Sequence, residues 1–164
     1  MNYARILTND LVNGEGISVS LFVTGCTFHC PGCFNQDIQD FKAGTLFTDK
    51  DLQYIKEKLI ENNLIRNFSI LGGEPLHPDN RAQILSICKN LKEEYPFLRI
   101  YLWTGYLIKE IQKEFPEILQ TVDVVIDGKF YQNQRDVRLK LRGSANQNIW
   151  RKNEEGVFYK DELI

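Results

Sequence analysis

Four apolar runs, each closed by a glycine-bearing turn, set the rhythm of this chain. From Ile17 to Val23 the residues alternate at first and are then continuously apolar through Leu21, Phe22 and Val23, which suits a strand buried on both faces. That run passes straight into Thr24-Gly25. Phe68 to Leu71 ends at Gly72-Gly73-Glu74-Pro75, Leu98 to Trp103 at Thr104-Gly105, and Val122 to Ile126 at Asp127-Gly128. Upstream, Tyr3 to Leu7 reads as a short edge strand, separated from the first run by the turn Asn13-Gly14-Glu15-Gly16.

Helical spacing fills the gaps between these strands. Thr48-Asp49-Lys50-Asp51 has the form of a capping box with a short acid, and Leu52, Ile55, Leu59 and Ile60 follow on one face. Pro78 and Asp79 open a second helix whose stripe is Ile84, Leu85, Cys88, Leu91 and Tyr95. Leu107, Ile108, Ile111 and Phe115 mark a third, stopped by Pro116. Residues 129–152 are polar and basic with no clear period, and Gly156 to Lys160 reads as a last strand.

Strands alternating with helices predict a parallel sheet with right-handed crossovers, in which ligands sit at the carboxyl ends of the strands. The loop after Val23, Gly-Gly-Glu-Pro, Trp-Thr-Gly and Asp-Gly would then gather around one cavity. At roughly 30 residues per strand–helix unit, the 164 residues fall short of the eight units of a closed barrel. The expected fold is α/β: one domain over residues 1–164, a partial, open TIM-like barrel of about five or six mostly parallel strands. An open side would admit something as large as a protein loop.

Composition narrows the class without deciding it. A net charge of −2 gives no global electrostatic case for nucleic acid or membrane. Met1 to Arg5 lacks the layout of a signal peptide, and no apolar run approaches the roughly 20 residues of a membrane span. A cytoplasmic protein is expected, in which clustered cysteines are ligands or redox groups more often than disulfides.

The chemistry concentrates after the first strand, in Cys26-Thr27-Phe28-His29-Cys30-Pro31-Gly32-Cys33. Three of the chain's four cysteines lie within these eight residues, and the fourth, Cys88, falls on a helical core stripe. A structural zinc site takes four protein ligands, and a ferredoxin-type cluster takes four cysteines. Cys26, Cys30 and Cys33 alone favour a four-iron, four-sulfur cluster with one iron open to a small molecule. A zinc loop closed by His29, or thiols without metal, are the alternatives. His29 and His77 otherwise read as loop hydrogen-bonders.

Around this loop the other turns take on meaning. Gly72-Gly73 lets backbone approach a ligand closely, and Glu74 can accept hydrogen bonds from a cation. Trp103 is either a stacking ring or a core aromatic. Lys129, Arg135, Arg138, Lys140, Arg142, Arg151 and Lys152 face only one acid, Asp136, between 129 and 152. They form either a solvated face or a patch for an acidic partner.

Taken together, these residues resemble the radical S-adenosylmethionine superfamily. More narrowly, the chain resembles the activating proteins of anaerobic ribonucleoside-triphosphate reductase. Cys-x3-Cys-x2-Cys and Gly-Gly-Glu-Pro carry the broad resemblance. The narrow one rests on Asn13-Gly14-Glu15-Gly16, Cys30-Pro31-Gly32-Cys33-Phe34-Asn35, Leu76-His77-Pro78, Trp103-Thr104-Gly105-Tyr106, Asp127-Gly128-Lys129-Phe130 and Arg142-Gly143-Ser144-Ala145-Asn146-Gln147. Phe34 stands where tyrosine is common, Ala145 where serine is common, and Gly32 where many superfamily members carry an aromatic.

The resemblance implies that Cys26, Cys30 and Cys33 hold three irons and that S-adenosylmethionine chelates the fourth. Its contacts would fall on Gly32, Cys33, Phe34, Gly72, Gly73, Glu74 and Thr104. Reductive cleavage would give a 5′-deoxyadenosyl radical that takes hydrogen from a glycine of the reductase. No side chain is assigned a catalytic role. An electron donor such as a flavodoxin or ferredoxin is implied, and Arg135, Arg138, Lys140 and Arg142 are candidate docking residues for the reductase. The alternatives are an activase of another glycyl-radical enzyme and a non-enzymatic zinc or iron–sulfur module.

Overall fold

A computed structural model describes residues 1–163. The strands are β1 (Asn2–Asp10), β2 (Ser18–Val23), β3 (Thr45–Leu46), β4 (Asn67–Gly72), β5 (Ile100–Trp103), β6 (Val124–Asp127), β7 (Asn148–Lys152) and β8 (Phe158–Lys160). The helices are α1 (Asp49–Leu59), α2 (Arg81–Glu94) and α3 (Ile108–Glu114). All eight strands join one mixed sheet in the order β3-β1-β2-β4-β5-β6-β7-β8.

The parallel part is the central quartet β2-β4-β5-β6, and every outer neighbour pairs antiparallel. The sheet is therefore wider and less parallel than the five or six mostly parallel strands expected from chain length. The extra strands come from both flanks. β1 runs nine residues rather than the short Tyr3–Leu7 edge, and folds back on β2. β7 forms inside 129–152, where only Ile149 of Asn148–Lys152 is buried. A strand with one buried residue leaves almost no hydrophobic period to read.

Alternation along the central strands sorts the sheet into two faces. Val19, Leu21 and Val23, then Phe68 and Ile70, Ile100 and Leu102, and Val125 join the main core. There they meet Ile55 and Leu59 of α1, Ile84, Ile87, Cys88 and Leu91 of α2, and Ile108 and Ile111 of α3. The intervening residues belong to separate, smaller clusters without these helices: Phe22 and Leu71 with Ile38, and Tyr101, Val124 and Ile126 with Ile149. Helices thus cover one face only. Across the other, Trp103 Nε1 donates to the Leu141 carbonyl at 2.6 Å and straps the 135–143 segment over the sheet.

Local chemistry sets the element ends. The Thr48 backbone N–H donates to Asp51 Oδ2 at 2.8 Å, starting α1 as its capping pattern requires. α2 starts at Arg81, later than Pro78-Asp79 suggested, because the preceding residues form turns and Asn80 directs its side chain into the loops beneath. Asp127 accepts from the Ile108 N–H at 2.8 Å and from Asn148 Nδ2 at 3.2 Å, so it fixes the start of α3 against β7. Asp123 accepts from the Ile100 N–H and from Lys92 Nζ, joining β5 to α2. No helix among the described residues is long and apolar enough to cross a membrane.

The helix-covered face should carry most of the stability. Leu91→Ala, at a fully buried site, is expected to cost about 2–5 kcal/mol. Leu46→Ala, on an exposed edge, should stay within about 0.5 kcal/mol of the parent in urea unfolding.

Candidate functional site

A cavity of about 790 Å³ lies on the helix-free face, at the carboxyl ends of β2, β4, β5 and β6. Its wall includes Cys26, Cys30 and Cys33, Gly72 to Glu74, Trp103 to Gly105, and Gly128 to Phe130. The four strand-end loops therefore meet around one space, as the alternating pattern required. The volume falls within the roughly 300–1,000 Å³ typical of small-molecule sites. Phe22 and Leu71 give it an apolar floor.

Backbone pairing continues past the strands and holds the first two loops together. The Gly73 N–H donates to the Val23 carbonyl at 2.8 Å, and the Glu74 N–H to the Gly25 carbonyl at 2.7 Å. A Cβ on Gly73 would lie 2.5 Å from the Gly25 oxygen, and one on Gly25 would lie 2.1 Å from the Phe41 ring. Glycine is required at 73 because one loop backbone presses on the other, and at 25 because the Phe41 ring fills the place of a side chain. These reasons differ from the approach to a ligand expected for Gly72-Gly73.

Glu74 closes the link to the third loop. Its Oε1 accepts from the Gly105 N–H at 2.7 Å; its Oε2 accepts from Thr104 Oγ1 at 2.7 Å and the Leu76 N–H at 2.8 Å. The residue is 2% exposed. Burial pushes its carboxyl up to about 7, against these three donors, which favour the charged form.

The three cysteines of the loop are free and partly exposed. Burial, with the negative charge of Glu74 adding to it, raises the Cys26 thiol. The Asn35 N–H donates to Cys33 Sγ at 3.4 Å. Cys88 is fully buried in the main core, its thiol pushed up to about 12 by burial. Among the described residues no three His, Cys, Asp or Glu side chains converge on a single-ion site. His29 pairs through Nδ1 with Gln39 Oε1 at 2.9 Å, and His77 Nδ1 accepts from the Asp79 N–H at 3.1 Å, so both histidines serve their loops.

Other expected contacts divide. Phe34 lines the cavity, 63% exposed, with its ring 5.4 Å from Phe130 and under the Arg135 guanidinium. Gly32 is absent from the cavity wall: it takes φ +76° and packs against Gln132. Arg135, Lys140 and Arg142 line the cavity, whereas Arg138 forks onto Asp136 with its side chain 87% exposed. Arg142 Nη1 donates to the Gln147 carbonyl at 2.7 Å.

Sequence reasoning missed two groups. Phe28 packs over Gly105, where a Cβ would come within 2.5 Å of its ring, and meets Tyr106 edge-on at 5.0 Å. Asn35 and Asn80 donate to loop carbonyls. The position of Asn35 just after Cys33 was a usable signal. Asn80 follows the Pro78-Asp79 pair that opens the expected helix, and nothing in the local sequence marks it as a partner of these loops.

A family model described as a 4Fe-4S single cluster domain matches residues 12–150. Three relatives named anaerobic ribonucleoside-triphosphate reductase-activating protein are similar over nearly the whole chain. The Haemophilus influenzae protein is 44% identical over 152 residues, covering 92% of this chain and 98% of its own. That of Enterobacteria phage T4 is 40% identical over 161 residues (98% and 100%), and that of Escherichia coli 37% over 150 (91% and 97%).

Glu74 also predicts a pH dependence. Its folded pKa is raised from 4.5 to about 7, so the fold favours the protonated form. Its contribution is full below about pH 4.5 and is lost as pH rises through about 7. Glu74→Gln should remove up to about 3 kcal/mol of that decline between about pH 4.5 and 8, read by urea unfolding of the metal-free protein.

Proposed function

The chain belongs to the family of anaerobic ribonucleoside-triphosphate reductase-activating proteins, and we propose that it activates such a reductase by reductive cleavage of S-adenosylmethionine at a 4Fe-4S cluster. The observation that carries this reading is the donor set. Cys26, Cys30 and Cys33 line one cavity as free thiols, and the fourth cysteine is locked in the core. Three thiolates fit a cluster that leaves one iron without a protein ligand. Held by Cys26, Cys30 and Cys33, the cluster would supply one-electron reduction of the sulfonium carbon–sulfur bond, the chemistry from which methionine, a 5′-deoxyadenosyl radical and, by hydrogen transfer from a glycine, the reductase's glycyl radical would follow.

The chain's own residues bind, orient and keep the site dry. Gly73 and Glu74 lie on the same cavity wall as the cysteines, where they would take the cofactor's ammonium group. Approach of that cation would favour ionised Glu74 over its buried, protonated form. Thr104 and Gly105 hold the Glu74 carboxylate in place, and Phe34 would flank the adenosyl part. Phe22 and Leu71 form an apolar floor, which suits radical chemistry that water would divert. The central parallel quartet, with helices on one face and the cavity on the other, supports reading the fold as the partial barrel of the radical S-adenosylmethionine superfamily. All eight strands share one sheet, which supports residues 1–164 as one domain. A cytoplasmic setting suits the free thiols, with a flavodoxin or ferredoxin as electron donor. Arg135, Lys140 and Arg142 on the cavity wall, with exposed Arg138 beside them, suit docking of the reductase.

Electron paramagnetic resonance of the anaerobically reconstituted, reduced protein tests the mechanism. A cluster signal that shifts on adding S-adenosylmethionine is expected, together with a glycyl radical when reductase is present. A signal blind to the cofactor, or zinc in place of iron, would reject it. Alanine at Cys26, Cys30 or Cys33 should abolish bound cluster, whereas Cys88→Ala should retain it. Charge reversal at Arg135 and Lys140 should weaken reductase binding about tenfold with iron content unchanged; binding as tight as the parent's would remove the docking role.

A further inference from the structure

The backbone of Gly72-Gly73-Glu74 is held at both ends by side-chain carboxamides. Asn35 Nδ2 donates to the Gly72 carbonyl at 3.3 Å. Asn80 Nδ2 donates at 3.0 Å to the Glu74 carbonyl and at 3.0 Å to that of Thr24. Asn80 is 2% exposed and sits where its side chain would ordinarily cap α2, yet it makes no cap hydrogen bond. Asn35 lines the cavity, and its own N–H points to Cys33 Sγ. Between the two clamped carbonyls lies that of Gly73, which accepts no hydrogen bond among the described residues although Gly73 lines the cavity.

We infer that Asn35 and Asn80 are positioning residues that lock the Gly-Gly-Glu segment between the cysteine loop and α2, so that the Gly73 carbonyl alone stays open to the ammonium group of S-adenosylmethionine. The inference rests on the function proposed above. Its physical basis is competition for acceptors. An unclamped segment could turn any of its three carbonyls toward a cationic donor, and binding would then carry the entropy of ordering it. Two amide donors settle that choice before the cofactor arrives. Asn35 does more, since it joins the residue two places after Cys33 to the carbonyl just before Gly73. The distance from the cluster-bearing loop to the cofactor's ammonium site is thereby set within one short hydrogen-bonded ring. Asn80 sets the opposite end, by tying Glu74 to the foot of the same loop at Thr24.

The test compares the parent with Asn35→Ala, Asn35→Asp and Asn80→Ser. In metal-free protein, amide hydrogen exchange is followed at Gly73 and Glu74. In reconstituted protein, iron per chain and the S-adenosylmethionine dissociation constant are measured. Asn35→Ala should keep its iron, bind the cofactor about tenfold more weakly, and exchange the two amides several-fold faster. Asn35→Asp should be weaker again, because a carboxylate then faces the Gly72 carbonyl. Asn80→Ser, which keeps a small donor, should fall between parent and Asn35→Ala. Unchanged affinity and exchange in Asn35→Ala and Asn80→Ser would overturn the clamp, as would a lowered melting temperature with affinity intact. Loss of iron with unchanged exchange would assign Asn35 to Cys33 and also overturn it. If the parent itself fails to bind S-adenosylmethionine, the proposed function falls, while exchange in the metal-free protein still decides whether the carboxamides hold the segment.

Discussion

The close backbone approach of two loops, Thr24-Gly25 against Gly73-Glu74, is the constraint on which the site depends. Hydrogen bonds from Gly73 to Val23 and from Glu74 to Gly25 extend the β2·β4 ladder beyond the strands. The cysteine loop, which springs from Gly25, therefore leaves the sheet at a fixed place and angle. No side chain larger than hydrogen fits on Gly73 at this separation, and at Gly25 the Phe41 ring takes that place. Both glycines are thus structural necessities before any ligand is considered.

From that contact the linkage spreads outward through buried polar groups. Glu74 reaches Thr104 and Gly105, Asn80 reaches back to Thr24, and Asp127 fixes α3 and β7. Each acceptor here is satisfied, so the network stiffens the cavity wall instead of leaving unpaired groups behind it. The cost of burying Glu74 is offset by three donors but not removed, which is why its carboxyl sits near 7. A buried carboxylate in that condition responds strongly to a cation placed beside it.

The two faces of the sheet divide the labour. Apolar side chains on one face meet the helices and carry the bulk of the buried core. On the other, Phe22 and Leu71 remain as a floor, with the 135–143 segment strapped across by Trp103. Trp103 packs against both of the smaller apolar clusters on this face. It lines the cavity, and its indole N–H is committed to the Leu141 carbonyl.

The amino-acid sequence by itself determined the central strands, the helices and the gathering of four strand-end loops, because each rests on local hydrophobic period and on glycine at the turns. The Cys26, Cys30 and Cys33 spacing was equally local, and so legible. Tertiary structure alone decided the width of the sheet, since the two-residue β3, and β7 between β6 and the expected last strand, are made strands by their pairing and not by their own pattern. It alone decided that Gly32 turns away to Gln132, that Arg138 faces Asp136 and solvent, and that Asn80 serves two loops in place of its helix. Those outcomes depend on partners far off in the chain. Thr24 and Asn80 are separated by 56 residues, and no local propensity reports which acceptor a carboxamide will find.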